Sequence, residues 1–85
     1  MLLMVIEKFR NHDAAAVYRR FRDNGRMLPD GLKYVDSWVE ATFGRCFQLM
    51  ECDGVKLLQQ WIAHWDDLVD FEIVKVVNSK DAHVS

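Results

Sequence analysis

Five residues have the types that a small-molecule site needs: Trp38, Gln48, Trp61, His64 and Trp65. Apolar aromatic walls carrying a few polar groups suit a small organic ligand. Gln48 would orient the ligand, while Tyr34 and Cys46 extend the lining. His64 is the candidate catalytic group, because an imidazole with an ordinary pKa near ~6.5 titrates in the range a general base uses. The competing reading makes the tryptophans core residues, with Gln48 satisfied locally and His64 at the edge of a helix stripe. Cys46 reads as a small buried hydrophobe, and no Ser or Cys stands at a spacing that implies a nucleophile–base pair.

Other chemistries find less support. His12, His64 and His83 are scattered, without Cys-x-x-Cys or His-x-x-x-His spacing, so no metal site is expected. Asp66, Asp67 and Asp70 cluster where a helix should end, against its dipole, and read as a solvated helix end. Arg19, Arg20, Arg22 and Arg26 make a basic face. The third strand, however, holds one aromatic where RNA-recognition domains alternate several, so nucleic acid is not an expected partner. There is no glycine-rich phosphate loop.

Eighty-five residues make one domain, taken as 1–78 with a tail over 79–85. So short a chain buries about 60–65% of its unfolded surface and gains from association. Hydrophobic residues are 51% and aromatics 12%. That excess argues for a second apolar surface covered by another copy of the chain. The net charge of −2 is uneven, since residues 1–45 carry eight Lys/Arg and six Asp/Glu, and residues 46–85 three and seven. Cys46 and Cys52 on one strand would lie about 20 Å apart, beyond bridging, which fits reduced thiols and a cytoplasmic setting. Met1 to Ile6 is apolar, but Glu7 and Lys8 follow at once, so no signal peptide is read there. No stretch approaches a membrane span.

The hydrophobic period alternates along the chain in the order strand, helix, strand, strand, helix, strand. Leu2 to Phe9 is apolar on both faces, which marks a central strand. Ala14 to Asp23 carries Ala14, Val17, Tyr18 and Phe21 on one helical stripe, with Asn24-Gly25 as its stop. Gly31 to Ala41 and Arg45 to Cys52 form a hairpin through Thr42-Phe43-Gly44. A second helix, capped by Asp53, runs from Val55 to Leu68, and the last strand from Phe71 to Val77. The polar tail has room for one short helical turn started by Ser79. The order predicts an α+β, ferredoxin-like βαββαβ sandwich with a four-stranded antiparallel sheet and two helices on one face.

Hairpin register decides which side chains share a face, because a one-residue slip inverts a strand. A three-residue loop with Gly44 left-handed pairs Ala41 with Arg45 and Trp38 with Gln48. Tyr34, Trp38, Cys46 and Gln48 then lie under the helices. Val39, Phe47 and Leu49 form the opposite face, the expected dimer surface. A two- or four-residue loop would instead put Trp38 with Phe47.

Several segments resemble one small bacterial family catalogued as domain of unknown function 3303. They are Tyr18-Arg19-Arg20-Phe21-Arg22, Arg26-Met27-Leu28-Pro29, Tyr34-Val35-Asp36-Ser37-Trp38-Val39-Glu40, Arg45-Cys46-Phe47-Gln48-Leu49-Met50-Glu51 and Trp61-Ile62-Ala63-His64-Trp65. The resemblance spans Met4 to Val77 and implies a ferredoxin-like fold related to the dimeric α/β barrels. It implies no activity. The wider barrel group includes haem-degrading members that use an Asn, a His and a Trp around the haem. Here the first strand offers Glu7 and no Asn, so no cofactor is expected. Two functions therefore stand before the structure: a cytoplasmic homodimer that binds or transforms a small organic molecule between sheet and helices, and an interaction or regulatory module with a filled core.

Overall fold

A computed structural model describes residues 1–83. β1 (Leu2–Phe9) is the organising strand, paired antiparallel to β3 (Arg45–Glu51) on one side and to β4 (Val69–Val76) on the other. β2 (Lys33–Val39) closes the sheet outside β3, giving the order β2-β3-β1-β4. With α1 (Ala14–Asn24) and α2 (Val55–Ile62), this is the expected ferredoxin-like α+β arrangement. Alternation along β1 sends Leu3, Val5, Glu7 and Phe9 into the interior and leaves Leu2, Met4 and Ile6 on the other face.

The core lies between the sheet and α2. Val5, Met50, Trp61 and Val69 are the largest fully buried side chains. Burying each of them contributes roughly 1.5–3 kcal/mol. Trp61 meets Phe71 edge-on at 5.6 Å between ring centroids. α1 packs less deeply: Val17 is buried, whereas Tyr18 and Phe21 on the same stripe stay exposed. Its ends are conventional, with Asp13 accepting from the Ala16 amide and Gly25 at φ 70° returning its amide to the Phe21 carbonyl.

Several expected boundaries move. α2 starts from Gly54 as its cap residue, without a side-chain bond from Asp53, and ends at Ile62 rather than Leu68. Beyond Ile62 the chain tightens into successive turns, with the Trp65 amide on the Ile62 carbonyl and the Leu68 amide on the Trp65 carbonyl. Arg20 draws this end towards α1, donating to the His64 carbonyl at 2.9 Å and to both carboxylate oxygens of Asp67 at 2.7 and 2.8 Å. Asp70 is taken by Arg10 at 3.0 Å. Two of the three clustered aspartates are therefore tied to arginines. β4 consequently begins at Val69, two residues before the expected Phe71. In the tail, Ser79–Asp81 makes one 3-10 turn capped by Asn78, and the remainder of the tail expected over 79–85 runs beyond the described residues.

The hairpin register is corrected. Trp38 pairs with Phe47, Val39 with Cys46 and Ser37 with Gln48, with an irregularity between Tyr34 and Asp36. Glu40 and Arg45 close a four-residue loop through the Glu40 amide on the Arg45 carbonyl, 2.8 Å. The left-handed residue is Phe43, at φ 60°, not Gly44. Glu40 holds this turn: its carbonyl accepts from the Phe43 amide at 2.7 Å, and its carboxylate accepts from Thr42 Oγ1 at 3.0 Å and Arg45 Nη2 at 2.8 Å. Arg45 thereby keeps the Glu40 carboxyl below its ordinary range.

Candidate functional site

A cavity of about 280 Å³ lies between the sheet and the two helices. Its floor is the helix-side row of three strands: Glu7 and Phe9 from β1, Cys46 and Gln48 from β3, Ser37 and Val39 from β2. Its walls are Val17, Tyr18 and Phe21 of α1, and Trp61 and Trp65 at the end of α2. Because the stripe of α1 is only partly buried, Tyr18 and Phe21 become the rim instead of core.

The loop between α1 and β2 supplies Arg26. Its carbonyl accepts from two indoles, Trp61 Nε1 at 2.9 Å and Trp65 Nε1 at 3.1 Å. Each buried indole thereby finds the partner it requires, and the loop is fixed under α2. The Arg26 side chain then turns across the cavity. Its guanidinium carbon lies 3.8 Å from the Tyr34 ring centroid and 5.0 Å from that of Phe21, and Nε donates to Gln48 Oε1 at 3.0 Å. Gln48 Nε2 in turn donates to Glu7 Oε1. A polar chain, Arg26 to Gln48 to Glu7, runs along the cavity floor. Gln48 and Glu7 are only 6% and 4% exposed, so their mutual bond removes a penalty that either group alone would incur.

The electrostatics follow from this burial. Desolvation raises the Glu7 carboxyl above its usual range, opposed in part by Gln48, the Arg26 charge and the Cys46 thiol. The Cys46 thiol is pushed up to about 12, first by desolvation and then by the Glu7 charge opposite it. Desolvation also leads in raising Tyr18, with the Cys46 and Glu7 charges adding to it. The floor therefore offers a carboxyl biased towards its protonated form, an unreactive thiol, and a guanidinium that is always charged.

Of the residues singled out in the sequence, the structure brings Gln48, Cys46, Trp61 and Trp65 together around this cavity. Tyr34 stands beside it, stacked on Arg26. Trp38 does not join them: it is 52% exposed and shares the open sheet face with Phe47. Val39 changes places with it and lines the cavity, while Phe47 and Leu49 remain on the open face as expected. His64 is exposed and outside the cavity, because the turns after Ile62 carry its side chain away from the sheet. Its backbone is engaged, the carbonyl by Arg20 and the amide by the Trp61 carbonyl.

Sequence reasoning missed Glu7 and Arg26. Glu7 had a legible signal, as a lone carboxylate in the inward row Leu3, Val5, Glu7, Phe9. Arg26 had none, since its position depends on indoles 35 and 39 residues further along the chain. Among the described residues, no three or more His, Cys, Asp or Glu side chains converge as metal ligands, and no helix is long and apolar enough to cross a membrane.

No curated protein and no solved structure matches this chain. Residues 1–84 match the family described as Domain of unknown function (DUF3303), which takes in nearly all of the 85 residues. The chain belongs to that family.

Proposed function

We propose that the protein binds a small organic molecule in the cavity between sheet and helices. The observation that carries this reading is the polar chain Arg26–Gln48–Glu7, its last two members buried, along the floor of an aromatic-walled space of about 280 Å³. A few fixed polar groups within apolar walls are the usual composition of a ligand site. A module with a filled core would have packed Tyr18 and Phe21 against the sheet. Instead they are 46% and 41% exposed at the rim.

The protein works as a cytoplasmic homodimer in this reading. Met4, Ile6, Phe47, Leu49 and Trp38 share the face without helices, an apolar surface of the kind a second sheet covers. Reduced Cys46 and Cys52 suit the cytoplasm. Size-exclusion chromatography with light scattering should give twice the 10.0 kDa chain mass, and Phe47→Lys should return the monomer mass. A monomeric parent chain would overturn the dimer.

Ligand binding is tested by titrating small aromatic compounds while following tryptophan emission, since Trp61 and Trp65 line the cavity. Saturable quenching that disappears in Val39→Phe, which fills the cavity from β2, is the expected result. A panel that leaves the emission unchanged would sink the reading.

A further inference from the structure

The arginines of this chain are not equivalent. Arg10, Arg20, Arg22 and Arg45 each hold a carboxylate at 2.7–3.2 Å. Arg26 has no ion-pair partner among the described residues, yet it is part-buried and lines the cavity. Its Nε is spent on Gln48, and its guanidinium carbon lies over the Tyr34 ring at 3.8 Å and the Phe21 ring at 5.0 Å. Nη1 and Nη2 make no hydrogen bond to the protein among the described residues. A guanidinium with its stem clamped and its terminal nitrogens open is a preformed fork for a planar two-oxygen anion.

We infer that the cavity receives a small aromatic or otherwise planar monocarboxylate, its carboxylate on the terminal nitrogens of Arg26 and its apolar body between Phe9, Val17, Trp61 and Trp65. The inference rests on the ligand-binding reading above and names the class of ligand. Size limits the choice: about 280 Å³ is the liquid volume of roughly nine waters, which suits a molecule of about ten heavy atoms. Sign limits it further. The guanidinium of Arg26 is permanently charged and its terminal nitrogens are open, whereas the Glu7 oxygen is taken by Gln48, so an ammonium group would meet a like charge where a carboxylate meets donors. Glu7 lies beyond Gln48, at the far end of the polar chain.

Three probes of nearly equal shape test this on the full chain: benzoate, benzamide and benzylamine, titrated at one ionic strength with tryptophan emission and amide chemical shifts as readouts. Benzoate should bind about 10- to 100-fold more tightly than either of the others, the margin of charge-assisted hydrogen bonds over neutral ones. Arg26→Met should remove that preference while leaving far-UV circular dichroism unchanged, because the carbonyl that both indoles use belongs to the backbone. If benzamide or benzylamine binds as tightly as benzoate, the carboxylate assignment fails and the cavity reading survives. If none of the three perturbs the cavity residues up to about 10 mM, a Kd near the weak end of specific binding, both fail together. If Arg26→Met does not fold, the wild-type comparison of the three probes still decides.

Discussion

Gln48 on β3 donates to the Glu7 carboxylate on β1, and both side chains lie below the cavity with under a tenth of their surface exposed. Glu7 faces Cys46 and not Gln48 in the strand ladder, so the contact is diagonal. This placement draws the Gln48 amide towards β1 and leaves its oxygen for Arg26. The polarity of the cavity floor thus descends from one carboxylate on the central strand.

Glu7 makes stability depend on pH. Its folded pKa lies above the ordinary value of 4.5. Below that ordinary value both the folded and the unfolded chain hold the proton, and the full stability is present. As pH rises through the folded pKa, ionisation favours the unfolded chain. The loss is about 1.4 kcal/mol for each tenfold by which folding weakens the acid. Glu7→Gln keeps an acceptor for Gln48 and removes the titration. Above pH 4.5 the stability measured by urea unfolding should therefore fall with rising pH in the parent relative to the variant, while the carboxylates that arginines hold, Glu40 among them, titrate alike in both. Parallel curves would mean that Glu7 does not carry the effect.

The Cys46 thiol should be inert in the folded protein. A pKa raised from 9.0 to about 12 lowers its thiolate fraction about 1,000-fold at neutral pH, and Cys52 is only 3% exposed. Iodoacetamide at pH 8 should label neither cysteine within the time that labels both in denaturant. Rapid native labelling of Cys46, read by peptide mass, would contradict the burial described.

Gly31 is required by its backbone, and the methyl of Leu57 beside it would have to turn aside for any side chain. It sits at φ +94°, and a Cβ there would lie 2.9 Å from Leu57 Cδ1. Gly31→Ala should cost about 1–3 kcal/mol, lowering Tm by several degrees for a domain of this size. Gly54→Ala, with nothing within 4 Å of the new Cβ and an ordinary extended φ of −162°, loses only the preference of a cap position for Gly over Ala and should stay closer to the parent in thermal scans.

Phe43 occupies the left-handed region at φ 60° and is 57% exposed, so its ring contributes little packing. Phe43→Gly should stabilise the chain by about 0.5–1 kcal/mol, the relief of a side chain in that region less the added freedom of the unfolded state. Loss of stability in chemical unfolding would indicate that the ring is packed in solution.

Much of this protein was legible in one dimension. The order of periods determined the order of elements, because a strand buried on one face and a helix buried on one stripe repeat at different intervals. The apolar row of β1 and the stop at Gly25 are local effects, and local residues encode them. The tertiary structure decided which face each strand presents. The hairpin loop grew to four residues because Glu40 ties to Thr42, Phe43 and Arg45 and holds Phe43 left-handed, in spite of the neighbouring Gly44. That one-residue difference moved Trp38 out to the open face and brought Val39 into the cavity. The same holds for the polar centre. Arg26 reaches Gln48 because two indoles from the end of α2 hold its carbonyl, and the carboxylate at the end of that chain comes from β1. Contacts between residues so far apart in sequence have no period to announce them, and they form only when packing brings their elements together.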